Sequence, residues 1–165
     1  MQYPRKEKVY QNHHIDSERW VAFEPRATDV CIASTMKTGT TWTQALVANL
    51  LFPNQKFPKK VSKLSPWIDD RSIPITSVLQ EINTQSHRRF IKTHLPLYSL
   101  RFFPEIKYIY VGRDGRDVAL SIWNHYLNYT DEVYKNINNL PNLVGNKFPK
   151  PPRRFKIFWR HWCTK

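Results

Sequence analysis

Three short stretches of this 165-residue chain carry residues able to act on an anion. The first is "STMKTGTTW", Ser34 to Trp42, with one lysine, one glycine and four threonines. It lies between an apolar run, "DVCIA", and the pattern "TQALVANLLF". A strand, a short polar loop and a helix N-terminus make an anion site, because unpaired N–H groups and the helix dipole both favour negative charge. Gly39 permits close backbone approach. Thr38, Thr40 and Thr41 add hydroxyls, and Lys37 adds a mobile point charge. Helix capping alone needs one hydroxyl and leaves the lysine unexplained. The second stretch is "RRFIKTH", which ends on His94 with Lys92 two residues earlier, on the same face of a strand. The third is "KYIYVGRDGRD", with Arg113 just past an apolar run. An arginine there suits phosphate; the competing reading is a surface turn in which Arg116 pairs with Asp117.

These positions imply the elements that must hold them. "DVCIA" (29–33) reads as a fully buried strand of the parallel type. Apolar residues at 42, 45, 46 and 50 predict a helix, ended by "FPNQKFPKK". Ile75, Val78, Leu79 and Ile82 predict a second helix after "SIP". Residues 88–94 and 107–113 read as the second and third strands, the third β-branched, aromatic and buried. Val118, Ile122, Trp123, Tyr126 and Tyr129 form a stripe that predicts a helix over 115–129. Residues 136–153 read as irregular, and "RRFKIFWRHWCTK" as a last amphipathic helix. Strands separated by helices of crossover length argue for α/β with a parallel central sheet flanked by helices. Ligands bind such sheets beyond the carboxyl ends of the strands, where all three polar clusters fall.

Composition narrows the classes. An apolar content of 41% indicates a globular chain. The net charge is +13, with eight Lys or Arg and no acid between Val133 and Lys165, and +5 over residues 1–132. A basic surface favours anionic partners, and "KFPKPPRRFKIFWRHW" would suit stacking on a nucleic acid, although it matches no known module. Cys31 and Cys163 make neither a disulfide framework nor a metal site. No run approaches the length of a membrane span and the N-terminus has no signal-like apolar region. The expectation is a soluble, cytoplasmic protein with no membrane and no nucleic-acid partner. The loop is not a Walker A motif, since its lysine precedes its only glycine; a nucleotide kinase or NTPase is therefore the weaker alternative.

In order and spacing the three stretches resemble the PAPS-dependent sulfotransferases (PAPS is 3′-phosphoadenosine 5′-phosphosulfate). "STMKTGTTW" is similar to the family's 5′-phosphosulfate loop, "RFIKTHLPL" to the strand ending in its catalytic histidine, and "YIYVGRDGRDVALS" to its 3′-phosphate segment. "SPWID" (65–69) resembles a substrate-side segment. The resemblance covers roughly residues 20–130 and implies a P-loop-like, nucleotide kinase-like architecture. It implies that Lys37, Thr38, Gly39, Thr40 and Thr41 hold the 5′-phosphate, that Trp42 lies near the adenine, and that Arg113 and Ser121 bind the 3′-phosphate. It further implies His94 as general base, Lys92 beside the sulfuryl group and Lys37 at the leaving phosphate. No metal is implied, and the acceptor is a small alcohol, phenol, steroid or amine. Tyr98, Phe102, Trp67 and Tyr126 are expected around the acceptor, and no role is assigned to His13, His14, His87, His125 or His161. The chain departs from the family at Met36, where proline is usual, and no later Arg-Lys-Gly segment matches in 133–165. The expectation is one sulfotransferase domain over 1–165, incomplete at its C-terminus, of unassigned oligomeric state.

Overall fold

The computed structural model describes residues 4–53, 57, 60–141 and 144–164. Its centre is a three-stranded parallel sheet in the order β2-β1-β3. The strands are β1 (Val30–Ser34), β2 (Phe90–Thr93) and β3 (Lys107–Val111). In chain order the helices are α1 (Thr40–Leu51), α2 (Val61–Leu64), α3 (Ile75–Asn83), α4 (Gly115–Leu127), α5 (Asp131–Asn138) and α6 (Phe155–Cys163). The parallel α/β class and all three strands therefore match the sequence reading.

The period of two in β1 and β2 divides the core. Cys31 and Ile91 face one side, where they pack with Trp20, Ile68, Val78, Ile82 and Phe103. Val30, Ile32 and Phe90 face the other, where they pack with Val47, Ala48 and Leu64. So α3 and the N-terminal 3-10 turn Ser17–Ala22 cover one face while α1 and α2 cover the other. Burial on both sides is why β1 reads as an uninterrupted apolar run.

A buried ion pair fixes the start of this arrangement. Arg89 donates from Nε and Nη2 to the two carboxylate oxygens of Asp29, at 2.8 and 2.5 Å. Both side chains are essentially inaccessible. Arg89 also donates to Asn83 Oδ1 and to the Glu24 carbonyl, and Asp29 accepts from the Arg26 backbone N–H. The next residues pair as Val30↔Phe90, so the salt bridge sets the register of β1 against β2.

Two expectations need correction. The strand β3 is an edge strand paired only with β1 among the described residues, and Tyr110 is 78% exposed. Its β-branched and aromatic residues signalled a strand, but the apolar count could not tell an edge from a centre. Part of the segment read as irregular is helical: Thr130 accepts from Val133 N–H and caps α5, with Asp131 and Glu132 in its first turn. That capping pattern was legible. The last helix, α6, forms as expected and leans on α4 through Trp123 and Phe155, with ring centroids 5.3 Å apart. Trp162 stays exposed on it, while Phe155, Phe158 and Trp159 are half-buried.

Removing one partner of a buried pair leaves an uncompensated charge. Arg89→Ala is expected to lower the unfolding free energy by about 3–5 kcal/mol in urea denaturation, whereas Arg88→Ala, at an exposed position, should change it far less.

Candidate active site

The carboxyl ends of the three strands converge on a cavity of about 500 Å³. Lys37, Gly39, Thr40, Thr41 and Trp42 line it from the loop and the start of α1; Lys92 and His94 come from β2, and Arg113 and Ser121 from the end of β3 and from α4. Of the residues expected in the site, only Thr38 does not line it. The Thr38 side chain donates instead to the Thr35 carbonyl at 2.8 Å, so its hydroxyl shapes the loop.

The loop is built to present N–H groups. Gly39 is the N-cap of α1 at φ 108°, with no side-chain cap on the helix. The first intrahelical bond runs from Thr43 N–H to Gly39 O, at 3.0 Å. The N–H groups of Thr40, Thr41 and Trp42 come before it and face outward along the dipole. Lys37 also adopts the left-handed region, at φ 64°, which turns the loop back over the helix start. No threonine caps α1: Thr40 Oγ1 lies 2.7 Å from Ser34 Oγ, and Thr43 Oγ1 donates to Gly39 O. Trp42 is 71% exposed, offering an open aromatic face at the cavity.

The histidine is held in a defined tautomer. His94 Nδ1 lies 2.8 Å from the Ser34 carbonyl oxygen, which can only accept. So Nδ1 carries the proton and Nε2 holds the free lone pair. Burial pulls the His94 pKa down from 6.5 to about 4, against the raising effect of that hydrogen bond; Lys92 lowers it further. At neutral pH the ring is therefore an unprotonated base. Burial also lowers Lys92, while Asp70 and Asp69 oppose the shift. Lys92 Nζ stands over the Trp67 ring, 4.9 Å from its centroid, and Trp67 meets the His94 ring edge-on at 4.8 Å.

Arg113 ties the third strand to the loop. It donates to the Lys37 carbonyl at 3.2 Å and lies 3.7 Å from Asp117. The competing turn reading had Arg116 on Asp117; Arg116 instead makes two bonds to Asp114, the N-cap of α4. This leaves Arg113 turned toward the cavity.

Several wall residues went unassigned from the sequence. His125 and Tyr129 line the cavity from α4 and the residues after it, and burial and Lys37 both lower His125. Their signal was helical spacing from Ser121, one turn and two turns along the same face. Met36 also lines it, 3.9 Å from the Tyr126 hydroxyl. Of the four residues expected around an acceptor, Trp67 alone is in the wall. Phe102 stacks on Tyr108 at 4.1 Å, Tyr98 lies under Lys8, and Tyr126 packs on Phe148. Among the described residues no His/Cys/Asp/Glu cluster suits a metal ion, and no helix is long and apolar enough to cross a membrane.

A parallel sheet whose first strand opens into a glycine-bearing loop at a helix N-terminus is an α/β fold suited to holding an anion, here with a neutral histidine at the next strand end. The family model for the sulfotransferase domain matches residues 27–163, and the chain belongs to that family. A glycolipid sulfotransferase of Mycobacterium bovis is 39% identical over 144 residues, 87% of this chain and 44% of the relative. One of Mycobacterium tuberculosis is 41% identical over 124 residues, 75% of this chain and 38% of the relative. The chain thus spans less than half the length of these relatives. Among solved structures, mouse sulfotransferase SULT7A1 complexed with PAP superposes with a TM-score of 0.59 at 20% identity, covering 93% of this chain and 50% of that one. Retinol dehydratase, in complex with androsterone and inactive cofactor PAP, gives 0.55 at 22% identity, over 88% of this chain and 50% of that one. Both are likenesses of fold.

Two outcomes test the site directly. The unfolded chain protonates His94 near 6.5 and the folded one only near 4, so between these values the unfolded state binds more protons. Folding stability from this residue is intact above 6.5 and declines as pH falls toward 4, by about 1.4 kcal/mol per pH unit. Titrating the ring by NMR should give a midpoint near 4, and His94→Gln should flatten the stability loss between pH 6.5 and 4. Lys37→Gly relieves a left-handed non-glycine residue. It should leave the chain as stable or up to about 1 kcal/mol more so, while weakening binding of adenosine 3′,5′-bisphosphate (PAP) at least about tenfold.

Proposed function

We propose that this chain binds PAPS across the loop and Arg113, and that it transfers the sulfuryl group to a hydroxyl of a small acceptor, with His94 as general base. The observation that carries this reading is the hydrogen bond from His94 Nδ1–H to the carbonyl of Ser34. Ser34 is the last residue of β1 and the first of the anion loop, so the base and the loop hang on one backbone atom group.

The residues fit the co-substrate's two ends. The open N–H groups at the start of α1, with Lys37, suit a phosphate bearing an activated group. Arg113 and Ser121, across the cavity, suit a second phosphate, and Trp42 offers its face to a base. PAPS supplies the activated sulfuryl group. His94 Nε2 accepts the proton of the acceptor hydroxyl, which its depressed pKa keeps it free to do at neutral pH. Lys37 stabilises charge on the oxygen that leaves, and Lys92 lines the same cavity as His94 with part of its hydration removed. Placing these groups on strand ends and a helix terminus provides the alignment an in-line transfer needs.

The relatives in Mycobacterium are named for glycolipids, which favours a sugar-borne hydroxyl as acceptor. The neutral His94 is suited to an alcohol, whose proton must leave as the new bond forms. A kinase or NTPase is disfavoured because the loop lysine precedes its glycine.

The test is calorimetric titration with PAP, using ATP as control, followed by transfer of labelled sulfate from PAPS to a glycolipid. PAP should bind and ATP should not compete at equal concentration. At a hundredfold excess over Kd, PAP should stabilise the fold by about 2.7 kcal/mol. His94→Ala should lower kcat by about 10²–10⁴ with PAP affinity retained. Equal binding of ATP and PAP, or His94→Ala turnover matching the parent, would remove this function.

A further inference from the structure

We propose that Asp69 is a positioning residue for the reaction centre: one buried carboxylate oxygen holds both the general base, His94, and the aromatic wall, Trp67, in place. The proposal builds on the sulfuryl-transfer reading of the site.

Asp69 is fully buried and touches none of the cavity. Its Oδ2 accepts from the Trp67 indole N–H at 2.6 Å and from the His94 backbone N–H at 3.0 Å. Its Oδ1 accepts from the Trp20 indole N–H at 3.2 Å. Neutral donors from Trp67, His94, Thr93 and Trp20 thus converge on one carboxylate, and Trp67 and His94 face the cavity. Among the described residues no lysine or arginine forms a salt bridge with it. Burial raises its pKa, and the hydrogen bonds from Trp67, His94, Thr93 and Trp20 pull the other way. Keeping a carboxylate here is expensive for stability alone, since an apolar residue would avoid the desolvation. Its placement makes sense through what it orients.

The segment around Asp69 is fastened on both sides. The Lys92 N–H donates to the Pro66 carbonyl, and Trp67 forms a parallel bridge with Lys92, so residues 66–69 run along the free edge of β2. Asp16 N–H donates to the Asp69 carbonyl, and Arg19 Nε to the Ile68 carbonyl. With its backbone fixed, the Asp69 side chain becomes a rigid two-point clamp. One point holds the backbone of His94, whose ring is held separately by Ser34. The other fixes the rotation of the Trp67 indole, which sets where its edge meets the imidazole and where Lys92 Nζ rests. Sequence reading noted "SPWID" (65–69) as resembling a substrate-side segment but gave Asp69 no role of its own.

Asp69→Asn keeps the shape but has one acceptor oxygen in place of two: its N–H₂ must face either the Trp20 indole N–H or the Trp67 and His94 donors, and the oxygen that remains carries no charge, so the clamp is weakened or lost. In the full chain, kcat should fall by about 10–100-fold, with KM for PAPS and Kd for PAP unchanged within about twofold below the melting temperature. Because a loosened His94 backbone no longer aims Nδ1 at the Ser34 carbonyl, nitrogen-15 shifts of the His94 ring should show the single Nδ1–H tautomer giving way to a mixture. Trp67→Phe, which removes one of the two donors and keeps an aromatic edge, should give a smaller kcat loss. Combining it with Asp69→Asn should cost less than the product of the two. Unchanged kcat and unchanged ring tautomer in Asp69→Asn would overturn the proposal, as would a loss of PAP affinity that matches the loss of kcat. Should Asp69→Asn fail to fold, Trp67→Phe with kcat and tautomer both equal to the parent overturns it. Should the parent chain transfer no sulfate, the function falls, and the His94 tautomer in the two variants still decides the role of Asp69.

Discussion

The site depends on the register of β1 between its two parallel neighbours, and the buried Asp29–Arg89 pair fixes that register at the far end of the strands. From Val30↔Phe90 the ladder runs to Ala33↔Thr93, which brings Ser34 beside His94. On the other side Ser34 stands opposite Val111, two residues before Arg113. A slip by one residue would turn each side chain to the opposite face and exchange the two halves of the core. The bidentate geometry of Arg89 makes such a slip expensive, since among the described residues Asp29 and Arg89 form an ion pair only with each other.

From that register follows a division of labour between backbone and side chain. Backbone groups form much of the proposed anion site: the first N–H groups of α1 are left open because Gly39, with no side chain to cap them, begins the helix. The threonine hydroxyls largely serve the loop itself, Thr38 on Thr35 and Thr40 on Ser34. Charge comes from Lys37 and Arg113, which are joined through the Lys37 carbonyl, so that loop and third strand cannot move independently without breaking that bond. A left-handed lysine in such a loop is strain retained at a functional site.

Electrostatics at the base reflect two opposed tendencies. Removing water disfavours charge on both His94 and Lys92, and the charge of Lys92 disfavours it further on His94. Asp69 and Asp70 restore part of the charge on Lys92, while His94 remains neutral. A neutral acceptor of protons beside a cation is the combination that a transfer to a hydroxyl requires.

The amino-acid sequence alone determined the class of fold and most of the residues that meet at the cavity. The apolar run at 29–33 reads as a buried parallel strand, and a lysine and glycine set directly before a helix mark a loop suited to an anion. His94, Lys92 and Arg113 were legible because strand ends in a parallel sheet share one edge, which makes order along the chain a guide to position in space. Tertiary structure alone decided the rest. It put β3 at an edge, since strand propensity does not report the number of neighbours. It gave Thr38 a structural hydroxyl and brought His125 and Tyr129 into the wall, since which way a helix face turns depends on what packs behind it. It also joined Asp69 to His94 across 25 residues. A hydrogen bond between segments so far apart leaves no periodic trace in the chain, because only the packing of the 66–69 segment along β2 brings the two together.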